Sequence, residues 1–100
     1  MISNEYIKGM IKTIVLKLLS ERSRMYGYEI NSRVEELSNG EIKLTYGALY
    51  PILYKLEKDG LLRTTSEVVD NRARKYYSLT EQGKEMAKDK VSELKKFNDV

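Results

Sequence analysis

Between Thr45 and Leu62 the chain reads TYGALYPILYKLEKDGLL, a helix whose start and stop are both written into it. Thr45 offers an N-cap hydroxyl, and Gly60 follows the last periodic position, where a left-handed residue ends a helix. At about 100° per residue, Leu49, Ile52, Leu53 and Leu56 fall on one side, as in a helix that covers a core. Gly47, Pro51, Tyr54 and Lys58 fall on the other. A Gly and a Pro within a helix cost about 1 and 3 kcal/mol relative to Ala, so helix propensity does not account for them. Pro51 removes an N–H that would have paired with the Gly47 carbonyl, and Gly47, lacking a side chain, eases the clash with the proline ring.

The chain before this helix carries two more. From Glu5 to Ser20, Ile7, Met10, Ile11, Ile14, Val15, Leu18 and Leu19 recur at three and four, which predicts an amphipathic first helix. A polar break from Ser20 to Arg24 leads into a second run with Tyr28, Ile30, Val34 and Leu37, closed by Ser38, Asn39 and Gly40. Ile42 and Leu44 alternate with charges in a short extended connection to Thr45. After Gly60 the period changes. Leu62 to Val69 is rich in β-branched residues and predicts a strand, Asp70 to Arg72 a turn, and Arg74 to Leu79 a returning strand, with Tyr77 and Leu79 directed at the core. Thr80 caps a last helix with Glu81 in its first turn and an apolar stripe of Met86, Ala87, Val91, Leu94 and Phe97.

Three helices, a hairpin and a final helix make a mainly α fold with a small β-hairpin: a winged helix-turn-helix in which the third helix is the candidate reader and the hairpin the wing. Residues 1–79 form the winged-helix part and 80–100 the C-terminal helix, within one compact domain overall. The composition excludes much else. With no Cys and no His, disulfides, thiol or imidazole nucleophiles and the usual zinc sets are absent, and a reducing compartment fits. No Gly-rich phosphate loop occurs, and the plentiful carboxylates lie beside Lys or Arg on helix surfaces as solvated pairs, so no enzyme, metal or cofactor is expected. Ile11 to Leu19 is interrupted by Lys12, Thr13 and Lys17, so neither a membrane span nor a signal segment is expected, and the location is cytoplasmic. The net charge of +3 leans toward a polyanionic partner.

Helix N-termini present free N–H groups and partial positive charge, which suits phosphate. Thr45, Tyr46 and Gly47 occupy that end of the third helix. Its exposed face, with Gly47, Tyr50, Pro51 and Tyr54, fits a major groove, the phenols and Lys55 reaching phosphates or base edges. A slightly kinked core helix is the plainer reading of the same pattern. Arg72, Arg74 and Lys75 make the hairpin basic, as in a wing on the phosphate backbone or as in a charged edge that resists strand pairing. Tyr26 and Gly27 open the second helix, where a phosphate contact and an ordinary helix start compete.

GALYPILYKLEKDGL from Gly47 to Leu61, NRARKYYSLTEQG from Asn71 to Gly83 and YGYEI from Tyr26 to Ile30 together resemble the PadR family of transcriptional regulators. The set is specific where each piece alone is not, and it spans essentially the whole chain. The resemblance implies a repressor that binds double-stranded operator DNA as a homodimer and is released by a small hydrophobic or phenolic effector. It also implies pairing through the last helix and helix one: Ile7, Met10, Ile11, Met86, Ala87, Val91, Leu94 and Phe97. A two-fold dimer would set two reading helices roughly 34 Å apart on a palindrome. The chain departs from the family pattern at Tyr46, where Pro is common, at Ala48, where Thr or Ser is frequent, and at Asn71 and Ala73, where Gly and Pro are usual. The alternative is a winged-helix module that docks a protein through the Tyr-rich face of the third helix.

Overall fold

The computed structural model describes the backbone of residues 4–98 and the side chains of residues 8–90 and Ser92. The elements run α1 (Asn4–Glu21), β1 (Met25–Tyr26), α2 (Gly27–Leu37), α3 (Tyr46–Lys58), β2 (Leu62–Val69), β3 (Arg72–Leu79) and α4 (Glu81–Asn98). The order read from the sequence holds, with one addition. Met25 and Tyr26 pair antiparallel with Tyr77 and Tyr76, so the hairpin is widened to a three-stranded sheet in the order β1-β3-β2.

α1 carries the centre of the core. Ile11, Val15, Leu16, Leu18 and Leu19 are buried on it, and they meet Ile30 and Val34 of α2 and Leu49, Leu53 and Leu56 of α3. Each such side chain stabilises the fold by about 1.5–3 kcal/mol through removal from water. α2 buries a narrow stripe, Gly27, Ile30 and Val34. Tyr28, nearly opposite Ile30 at about 100° per residue, and Leu37, in the last turn, are 60% and 50% exposed. Met25, buried completely, is a core residue that periodicity did not reveal.

Both helix ends around α3 follow from local chemistry. Asn39 takes φ 55° after α2, and Gly40 N–H and Asn39 N–H return to the Glu35 and Glu36 carbonyls at 2.8 and 3.1 Å. Gly60 takes φ 80° after α3, and Leu61 N–H reaches the Leu56 carbonyl at 2.9 Å. Both satisfy carbonyls that a helix end leaves unpaired. Between them the connection over residues 41–45 is irregular rather than a strand. Asn31 Nδ2 donates to the Leu44 carbonyl at 2.8 Å and holds it in place.

The wing turns on Asp70 and Asn71, with φ of 51° and 65°, and Val69 faces Arg72 across the turn. Two successive left-handed residues match the twist of a two-residue hairpin, so β3 starts at Arg72 and not at Arg74. α4 is bolted on just beyond it. Thr80 Oγ1 donates to the Gly60 carbonyl at 2.6 Å and accepts from Gly83 N–H at 3.0 Å, capping the helix while tying it to the end of α3. A side chain at Gly83 would collide with the Leu61 carbonyl oxygen. From this joint α4 lies against α1, with Ala87 buried and Met86 partly so.

Candidate nucleic-acid interface

α3 begins with Thr45 Oγ1 accepting from Ala48 N–H at 3.2 Å, which uses one of the free donors of the first turn. No acidic residue stands in that turn, while Lys55 and Lys58 stand in the last one. The positive end of the helix is therefore left without a compensating carboxylate, as an anion site requires. On its outward flank Tyr46 and Tyr50 stack with ring centroids 5.6 Å apart, and Tyr54 continues the stripe at 66% exposed. Lys55 Nζ reaches Asp59 at 3.3 Å, an exposed pair that exchanges readily with other partners.

The glycines of this region differ in what they make room for. A methyl at Gly27 would stand 2.8 Å from the Tyr50 phenol oxygen, so α2 begins with Gly to let the α3 tyrosine lie against it. Gly47 has nothing nearer to such a methyl than Thr45 Oγ1 at 3.8 Å. No side-chain atom of the Pro51 ring comes within 4 Å of such a methyl, so the relief of the proline expected from the sequence does not explain Gly47, and both residues lie exposed.

The start of α2 is occupied differently. Tyr26 N–H donates to Glu29 Oε1 at 3.2 Å, and Arg22 stands 3.9 Å from the same carboxylate. The helix has its own anion, so Tyr26 enters the surface through its ring rather than its backbone. Arg74 of the wing lies over that ring, 4.6 Å from its centroid. Strand alternation separates the other wing cations. Arg72 and Arg74 share the outer face with Tyr76, whereas Lys75 lies on the Tyr77 side, its Nζ 5.6 Å from that ring.

Thr45, Tyr46, Gly47, Tyr50 and Tyr54 thus lie along one helix flank, with Tyr26, Gly27 and Arg74 joined to it through Tyr50 and the sheet. Tyr77 and Leu79 are buried, 3% and 9% exposed. Burial first, then Tyr50 and Glu57 nearby, holds the Tyr77 phenol above its ordinary pKa.

Two residues that sequence reasoning passed over stand at the centre of the outer face. Arg24 donates to both oxygens of Glu67, at 2.5 and 3.1 Å, and lies over the Tyr76 ring at 4.0 Å. That fork holds the Glu67 carboxyl below its ordinary pKa. The partners are 43 positions apart and no local pattern links them.

Of the residues assigned to dimerisation, Met10 is half-buried, Ile11 and Ala87 are buried within the chain, and Met86 packs against the core. The side chains of Ile7, Val91, Leu94 and Phe97 lie outside the described residues. Between α1 and α3 runs an apolar groove of about 600 Å³, floored by Ile11, Leu44, Ile52 and Leu56, with Lys8 and Lys12 on the α1 side and Gly47, Ala48, Pro51 and Lys55 on the α3 side. Among the described residues no cluster suits a metal ion, and no helix is long and apolar enough to cross a membrane.

Known proteins share this arrangement. The family model for PadR-like transcriptional regulators matches residues 15–89. A transcriptional regulator of Mycobacterium tuberculosis is 46% identical over 50 residues, half of this chain and 47% of that protein. The structure of a transcriptional regulator from Clostridium thermocellum superposes with a TM-score of 0.80 at 30% identity, covering 100% of this chain and 94% of that one. Bacillus subtilis PadR, in complex with operator DNA, superposes with a TM-score of 0.71 at 27% identity over 81% of this chain and 46% of its own.

Proposed function

The chain belongs to the PadR-like family of transcriptional regulators, and from that premise we propose that it represses transcription as a homodimer on a palindromic operator. α3 enters the major groove with Tyr46, Tyr50, Tyr54 and Lys55, its N-terminus at Thr45 and Gly47 meeting a phosphate. The wing follows the backbone with Arg72, Arg74 and Lys75, and Tyr26 and Gly27 border the contact. The observation that carries this reading is Gly47: an exposed glycine, costly in a helix, whose missing side chain no neighbour in the described chain requires. Close approach by something outside the chain accounts for it, and the uncompensated helix start makes that something an anion.

In this reading residues 80–100 serve as the dimerisation helix, pairing with helix one of the partner through Ile7, Met10, Val91, Leu94 and Phe97, while Ile11 and Ala87 are buried in the chain's own core and Met86 packs against it. The protein is a regulator and not a catalyst, working in the cytoplasm where its operator is. A small hydrophobic or phenolic effector fits the α1–α3 groove, whose apolar floor adjoins the reading helix. A ligand lodged there would favour an α3 placement that misaligns the two reading helices, and so release DNA.

The test is binding to a palindromic duplex selected from random DNA, measured across salt concentration. Affinity falls steeply with salt, and Arg72, Arg74 and Lys75 replaced together by Ala flatten the log–log slope by up to about 3, near one per lost phosphate contact. Salt-insensitive binding, or none to any duplex, would overturn the reading in favour of a protein partner on the tyrosine face.

A further inference from the structure

The wing is a two-stranded ribbon beyond its base, and an isolated ribbon of that kind is marginally stable in water. Val68 near its tip is 75% exposed, so little apolar packing holds the outer half. β1 pairs with β3 over two residues only, Met25↔Tyr77 and Tyr26↔Tyr76. What reaches further is Arg24. From the edge beside β1 it crosses β3 over the Tyr76 ring and ends in a two-pronged bond to Glu67 on β2, opposite Arg74. Tyr26 meets Tyr76 edge to face at 5.6 Å, and Arg74 lies over the Tyr26 ring at 4.6 Å.

We propose that Arg24 is a positioning residue for DNA binding: as a strap across all three strands it fixes the wing against the start of α2. Arg74 and Tyr26 then meet the backbone as one rigid site. This inference rests on the DNA-binding reading above. Its chemistry is specific in two respects. The planar guanidinium can hold both Glu67 oxygens while lying flat on Tyr76, which a lysine ammonium cannot do. Glu67, moreover, is one of two acids on a wing with a net positive charge, the other being Asp70 at the turn, and by itself it opposes a polyanion. Its presence there is explained by the strap and by no direct contact with phosphate.

The experiment uses the full chain and the selected palindromic duplex, with Arg24→Lys, Glu67→Gln and the charge-conserving swap Arg24→Glu with Glu67→Arg. If Arg24 positions the wing, Arg24→Lys and Glu67→Gln each bind roughly 3- to 10-fold more weakly with an unchanged salt slope, and the swap returns to within about 3-fold of the parent chain. Glu67→Gln is decisive in sign, because loss of a negative charge alone would tighten binding. In the DNA-free chain, amide exchange at residues 67–74 rises in both single variants. Glu67→Gln binding as tightly as the parent or more so, or a swap no better than the single variants, overturns the positioning role. Each of those results leaves the parent chain bound to DNA; a parent chain that binds no duplex overturns the DNA reading itself, and the strap's role with it.

Discussion

At Gly83 a methyl group would run into the Leu61 carbonyl oxygen, at Gly27 it would press on the Tyr50 phenol 2.8 Å away, and at Gly47 it would meet only Thr45 Oγ1 at 3.8 Å. The first two glycines are explained by the chain's own packing. Gly83→Ala is therefore expected to destabilise by about 3 kcal/mol, since backbone and not a flexible side chain must yield. Gly47→Ala should do the reverse, raising stability by up to about 1 kcal/mol through helix propensity while weakening operator binding. Thermal unfolding and duplex titration on the same samples read the two effects. A Gly47→Ala chain that gains stability and keeps full affinity would take the glycine out of the interface. Tyr77 supplies a second residue-scale expectation. Its phenol is held above the ordinary 10.0 by burial, so the folded state favours the protonated form. Its contribution is intact below pH 10.0 and is lost as the pH climbs through the folded value. Tyr77→Phe should accordingly lose less stability on the alkaline side than the parent chain, as followed by denaturant titration across that range.

At the level of elements, the wing shows what a sequence can and cannot convey. Its two strands are legible from β-branched residues and alternation, but its turn is not, because Asp-Asn is a weaker signal for two left-handed residues than Asn-Gly. The structure puts both in that region, so the strand begins two residues earlier than Arg74. Asn71→Gly should be tolerated there, whereas Asn71→Val should cost about 1–2 kcal/mol, the penalty for a left-handed β-branched residue. Urea unfolding measures it, and an equal response to both substitutions would refute the turn assignment. α3, by contrast, was legible throughout: Thr45, the Leu49–Leu53–Leu56 stripe and Gly60 are local signals, and local signals survive folding. β1 was not, since two residues carry no period and Met25–Tyr26 becomes a strand only by pairing with β3 some fifty residues on. The Arg24–Glu67 strap escaped notice for the same reason. Tyr28 and Leu37 erred in the other direction. At about 100° per residue Tyr28 stands nearly opposite Ile30 on α2, and Leu37 lies in the last turn beyond the buried stripe, so both are exposed.

For the molecule as a whole, the proposed dimer rests on α4. Its first turns belong to the chain's own core, through Thr80, Gly83, Met86 and Ala87. The helix then runs on to Asn98, and the apolar stripe read from the sequence continues along it at Val91, Leu94 and Phe97. A chain of this size buries a modest fraction of its surface alone, so a continued apolar stripe is most economically covered by a second copy. Two-fold pairing there would also set the reading helices roughly one DNA turn, 34 Å, apart. Leu94→Glu with Phe97→Glu isolates this step, because neither residue lies in the capped first turns that hold α4 to its own domain. The doubly substituted chain should sediment as a monomer, keep its helical circular dichroism, and bind a full palindrome no more tightly than a half-site. A dimer that persists in that variant removes α4 from the interface, and with it the geometric reason for a palindromic operator.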